Sequence, residues 1–70
     1  MSYLVRVRLK LKDKSEREPP FAMHLTHVPM VGDRIELPYH GGALLAEVGY
    51  VWSPPKEVPE AIHDLDADQI

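Results

Sequence analysis

The chain opens on a strict alternation of apolar and charged positions. Tyr3, Val5, Val7, Leu9 and Leu11 fall on odd numbers, while Arg6, Arg8, Lys10 and Lys12 follow Leu4 on even ones. Successive side chains of a strand point to opposite faces, so this pattern predicts a strand of about ten residues, oily on one side and cationic on the other. Asp13 to Pro20 contains no apolar residue except its closing proline pair, which cannot donate ladder bonds, and is expected to be an exposed connection. Phe21 to Val28 predicts a second strand, with Phe21, Met23 and Leu25 on one side and Ala22, His24 and Thr26 on the other.

Pro29 ends that ladder, and Gly32-Asp33 predicts a turn in which glycine takes a positive φ and the Asp33 carboxylate bonds nearby amides. Arg34 to Leu37 predicts a third strand with Ile35 and Leu37 inward, and Pro38-Tyr39-His40-Gly41-Gly42 a hairpin loop. The fourth strand, Ala43 to Trp52, places Ala46, Val48, Tyr50 and Trp52 on one face and Leu45, Glu47, Gly49 and Val51 on the other. Gly49 inside it marks a bulge or a close backbone approach. After Ser53-Pro54-Pro55 three readings stand: a short closing strand over Ala61 to Leu65, a short helix starting at Pro59-Glu60-Ala61, or no fixed structure.

Four strands and a possible fifth predict a mainly β protein: a small four-to-five-stranded antiparallel barrel burying Val5, Val7, Leu9, Phe21, Met23, Leu25, Ile35, Leu37, Val48 and Val51 together. The expected division is a single barrel domain over residues 1–56 and an acidic C-terminal segment, 57–70, packing on it or extending from it. Seventy residues suffice for one thin core only. There is no cysteine, which excludes disulfide staples, thiolate chemistry and Cys-type zinc sites and fits a cytoplasmic protein. No apolar run exceeds four residues, so no membrane span and no signal peptide are expected.

The stretch Val28-Pro29-Met30-Val31-Gly32-Asp33-Arg34-Ile35-Glu36-Leu37 has the form V-P-x-x-G-D-x-I-x-L and precedes a strand, Ala46 to Trp52, that ends in an aromatic. Together with the alternating first strand this resembles small uncharacterised bacterial proteins with an SH3-like β-barrel, over roughly residues 3 to 52. The resemblance implies an SH3-like or related barrel and brings no functional residue with it. Pro54-Pro55 and the acidic tail depart from its pattern.

Charge changes the picture more than composition does. Residues 1–20 hold six bases against three acids, and residues 57–70 hold five acids and no base, so the net charge of −3 conceals a basic front and an acidic tail. Arg6, Arg8, Lys10 and Lys12 form a stripe that suits a nucleic-acid backbone. The same stripe also suits a solvated, edge-protecting face, or a docking strip for the acidic tail of this chain or of a neighbouring copy. The other candidate surface is the aromatic set Tyr39, Tyr50 and Trp52, suited to a protein partner or a second copy, unless Trp52 plugs one end of the barrel.

Catalysis is not expected. His24 and His27 sit three apart, on opposite faces of a regular strand, so they could chelate together only if the chain bends there; a small metal or ligand site at His24, His27, His40 and His63 stands as a third hypothesis, and no metal ligand is assigned. Ser53, Thr26 and the histidines supply the residue types of Ser/His/Asp chemistry without a strained nucleophile turn. Gly41-Gly42 is too short to cradle phosphate. Glu36 and Glu47, if they face one another across a hairpin, lack the desolvation that shifts a carboxylate toward acid–base work. The sequence therefore predicts a cofactor-free binding or self-assembly module, with nucleic-acid binding through the basic stripe as the alternative.

Overall fold

A computed structural model describes residues 2–55 and 62–70. Its elements are β1 (Tyr3–Lys10), β2 (Phe21–Leu25), β3 (Arg34–Tyr39), β4 (Gly42–Trp52) and β5 (His63–Gln69). They form one mixed sheet of order β2-β1-β5-β4-β3, curled into a half-barrel, with no helix among the described residues.

The expectation of a purely antiparallel sheet is corrected here: β1 and β5 run parallel, Val5 opposite His63 through Lys10 opposite Asp68. The other three pairings are antiparallel. His63–Gln69 is the middle strand of the five, so the acidic segment is integral to the sheet rather than packed on a barrel complete without it. Its alternation explains why it is a strand: Asp64, Asp66 and Asp68 point out while Leu65 and Ala67 point in, a period of two that a helix would scatter around its circumference. Pro59-Glu60-Ala61, the proposed helix start, lies outside the described residues.

The concave face holds the core. Val5, Val7 and Leu9 of β1, Leu37 of β3, Ala46 and Val48 of β4, and Leu65 and Ala67 of β5 are buried, with Leu11 closing the row. Phe21, Met23 and Leu25 of β2 and Ile35, Tyr39, Leu44 and Val51 pack against them half-buried. Full burial of each Val or Leu contributes about 1.5–3 kcal/mol. Among the described residues no charged side chain enters this core.

Two boundaries move from their expected places. Strand β2 stops at Leu25 instead of Val28, because Leu25 pairs with Tyr3, the first residue of β1, and the ladder between the two strands ends there. Strand β3 continues through Pro38 to Tyr39, and the hairpin loop shrinks to His40-Gly41, with φ of 47° and 79°. Two successive positive φ values are the signature of the tight turn whose twist matches a hairpin. Pro38 is tolerated because β3 is an edge strand. The Gly32-Asp33 turn forms as expected: Gly32 has φ 95°, and Asp33 Oδ2 accepts from the Met30 amide at 2.9 Å.

One connection also ties the half-barrel together. Arg17 bridges Lys10, and the Glu18 amide donates to the Leu9 carbonyl at 2.7 Å, so the chain runs beside β1 before β2 begins. From there Glu18 accepts a hydrogen bond at 2.9 Å from the hydroxyl of Tyr39 on β3, the strand at the opposite edge.

Candidate interaction surface

With the concave face filled, chemistry is left to the convex face, where the register lays three strips side by side. Arg6, Arg8 and Lys10 of β1 stand opposite Asp64, Asp66 and Asp68 of β5, and Asp64 and Asp66 stand in turn opposite Trp52 and Tyr50 of β4. Cations, carboxylates and aromatics therefore run in parallel columns.

The two arginines of the basic stripe are taken up by the acidic column within the same chain. Arg6 Nε lies 2.7 Å from Asp64 Oδ1, Arg8 Nε 2.7 Å from Asp66 Oδ1, and Arg17 Nη1 3.2 Å from Asp68 Oδ1. The hydrogen bond from Arg6, followed by the charge of Asp64, holds the Arg6 guanidinium still more firmly protonated. The Arg8 contact is one of charge more than of direction: Asp66 Oδ1 is shielded from water and receives no well-aligned hydrogen bond. Each pair is partly solvated, so its net contribution to stability is small. Their larger effect is on register, since sliding β5 by two residues would forfeit a pair and by one would put carboxylates into the core. Among the described residues Lys10 and Lys12 have no carboxylate within ion-pair distance.

The aromatic residues are divided by the bulge. The β4–β5 register shifts between Val48 and Tyr50, at Gly49. The extra residue reverses the alternation: Val48 and then Val51 face the core, and Tyr50 and Trp52 turn outward, each 45% exposed. The expected face shared by Ala46, Val48, Tyr50 and Trp52 is thus corrected, as is the idea of Trp52 as a plug. Tyr39 faces the other way, packed on the core, with its hydroxyl donated to Glu18 and its ring edge-on to His40 at 4.2 Å. That hydrogen bond, then burial, raises the Tyr39 pKa above its ordinary value. Tyr50 and Trp52 therefore form one surface, and Tyr39 belongs to another. Beside them, the Gly32 amide donates to the Val48 carbonyl at 2.8 Å, which brings the turn carrying the exposed Met30 (72%) and Val31 (66%) against β4 next to the bulge.

The histidines are dispersed. His24 is exposed on β2, His27 contacts Thr26 Oγ1 at 3.4 Å, and His40 sits in the hairpin turn. His63 Nδ1 lies 3.0 Å from Ser53 Oγ with its ring edge-on to Tyr3 at 5.7 Å. A serine and an imidazole do meet there, but among the described residues no carboxylate is a hydrogen-bond partner of His63. Among the described residues no three potential ligands gather to hold a metal. Glu47 stands opposite Arg34, and Glu36 opposite Leu45, so the two glutamates are not the cross-strand pair anticipated. Among the described residues no helix is long and apolar enough to cross a membrane.

Docking of the acidic tail on the basic stripe was among the readings of the sequence; what sequence reasoning missed is that Asp64, Asp66 and Asp68 meet it from a strand paired directly with β1. The signal was present: acids on alternate residues at the spacing of the bases in β1. No protein-family model, curated protein or solved structure matches the chain.

Proposed function

We propose that this chain is a small non-catalytic binding or self-assembly module, working in the cytoplasm through the convex surface of β4 around Tyr50 and Trp52. One observation carries the reading: two large rings stand two residues apart on the solvent side of a sheet whose core lies on the other side, each nearly half in water. Rigid aromatics supply much contact area at small entropic cost and dominate interface energetics. Met30 and Val31 enlarge the apolar area beside them. The curled sheet supports a small barrel-like β fold, of which the SH3-like barrel is the form the sequence suggests, and the parallel β1–β5 pairing sets this chain apart from the all-antiparallel form first expected.

The test compares immobilised wild-type chain with Trp52→Ala and Tyr50→Ala variants of unchanged circular dichroism. Partners captured by the wild type should be lost with either variant, and the fluorescence of Trp52 should shift to the blue when a purified partner is added. The same capture by all three chains, with unshifted fluorescence, would refute the reading.

A further inference from the structure

The two edges of the sheet differ in how they meet water, and the difference points to a second contact, separate from the β4 surface. At the β3 edge the strand carries Arg34 and Glu36 on its exposed positions and ends near Pro38. Tyr39 and Gly42 close a two-residue hairpin, so by the alternation of the ladder the amide position of Pro38 faces the free edge, where it has no proton to donate. Charge and proline are the usual means of keeping an edge from pairing with another strand.

At the β2 edge those means are missing. Phe21-Ala22-Met23-His24-Leu25 pairs with β1 on one side only and contains no proline, lysine, arginine or carboxylate. Pro19-Pro20 and Pro29 bracket it, which limits any added pairing to about this five-residue span. Its three inward side chains, Phe21, Met23 and Leu25, stay only half-buried, with β2 at the edge of the sheet and no further strand beside it among the described residues.

We propose that the free edge of β2 is the contact between two copies of this chain, paired antiparallel about Met23 so that two half-barrels share one continuous sheet. The span is self-complementary in that register. On the inner side Met23 meets Met23 of the other copy and Phe21 meets Leu25, each apolar on apolar; on the outer side Ala22 meets His24, so no two like charges stand opposite. The apolar row left half-covered in one copy is completed by the same row in the other. A five-residue strand pair is a small interface, so the dimer forms and dissociates with concentration. Both β4 surfaces remain free on the convex side, which makes the pair a bivalent presenter of Tyr50 and Trp52.

Light scattering after gel filtration, over an about hundredfold range of concentration, reads the mass directly. The wild type should rise from one chain toward two. The double variant A22E/H24E, which sets like charges opposite one another twice, should remain at one chain with unchanged circular dichroism, and A22E/H24K, which sets opposite charges there, should recover the dimer. Because the chain has no cysteine, Met23→Cys provides a measurement independent of those variants: mild oxidation should cross-link it to a dimer, and Lys14→Cys, in the β1–β2 connection, should stay monomeric.

A wild type of one chain at every concentration overturns the proposal. So does a dimer that survives A22E/H24E, a failure of A22E/H24K to recover it, or equal cross-linking at positions 23 and 14. A dimer lost with Trp52→Ala and kept with A22E/H24E would move the contact to β4 and overturn it as well. Failure of the β4 reading is seen separately, as capture indifferent to Trp52.

Discussion

Replacing Leu65 by alanine tests whether the acidic C-terminal segment belongs to the body of the protein. Leu65 is fully buried at the centre of β5, opposite Val7 on one side and Val51 on the other. Removing a buried leucine beyond its Cβ costs the transfer energy of the lost atoms plus that of the cavity, about 2–5 kcal/mol. A thin core with open ends can partly collapse, which places the expected loss near 3 kcal/mol. Against a total stability of roughly 4–10 kcal/mol for a chain of this length, that is a large share. At an unfolding entropy of about 2.1 cal/mol/K per residue, the melting temperature should fall by roughly 20 °C. With a urea slope of about 1 kcal/mol/M the midpoint should fall by roughly 3 M at unchanged slope. Circular dichroism during urea and thermal unfolding measures both. Ile70→Ala, outside the strand and 44% exposed, should stay within about 0.5 kcal/mol of wild type and serves as the control. If Leu65→Ala also stays within about 0.5 kcal/mol, the segment is an appendage and the placement of β5 in the middle of the sheet is wrong.

Alkaline titration probes the bond between opposite edges. The Tyr39 pKa is raised in the folded state, so its contribution is complete below pH 10.0 and is lost as pH rises through the higher folded value; Tyr39→Phe should flatten that decline, and an equal decline in the variant would exclude the phenol as its source. The glycines should separate by backbone and not by location. Gly49 has ordinary φ and room for a methyl group, its nearest atom Asp68 Oδ2 at 3.9 Å, so Gly49→Ala should change stability by less than about 0.5 kcal/mol, whereas Gly41→Ala, at φ 79°, should cost about 1–2 kcal/mol by urea unfolding. If the β1 stripe binds nucleic acid, Lys10 and Lys12, which have no ion-pair partner among the described residues, predict a log–log salt slope of about −2, measurable by fluorescence anisotropy with a labelled oligonucleotide. A slope between about −3 and −4 would mean that Arg6 and Arg8 abandon Asp64 and Asp66 for phosphate and would refute the ladder as a stable feature.

The parts of the fold that were legible in sequence are those governed by neighbours along the chain. Tyr3, Val5, Val7 and Leu9 alternate with bases, and that alone defines β1 and its two faces. Gly32-Asp33 marks its turn through glycine backbone freedom and a local carboxylate bond, and Gly49 marks the bulge. The consequence of the bulge was not carried forward: once Gly49 adds a residue, the alternation reverses and Tyr50 and Trp52 exchange faces with Val51. Half of the aromatic site was therefore legible as residue types, while its face was not.

Tyr39 was grouped with Tyr50 and Trp52 because sequence displays a ring without its direction. Its membership of the concave side follows from β3 running past Pro38, which depends on β3 having a free edge, and an edge is a property of strand order. Strand order likewise explains why β2 ends at Leu25: its partner strand begins at Tyr3.

By itself, the sequence determined a mainly β protein with a cationic first strand, an acidic end and exposed-or-buried aromatics awaiting a face. Only the tertiary structure decided that the acidic end is the middle strand, parallel to the first, with Asp64, Asp66 and Asp68 answering Arg6, Arg8 and Arg17. The physical reason is range. Alternation and turn chemistry act between residues a few positions apart, whereas the partner of Arg6 lies 58 residues away and is chosen by which strands, once curled together, bury the most apolar surface without stranding a charge.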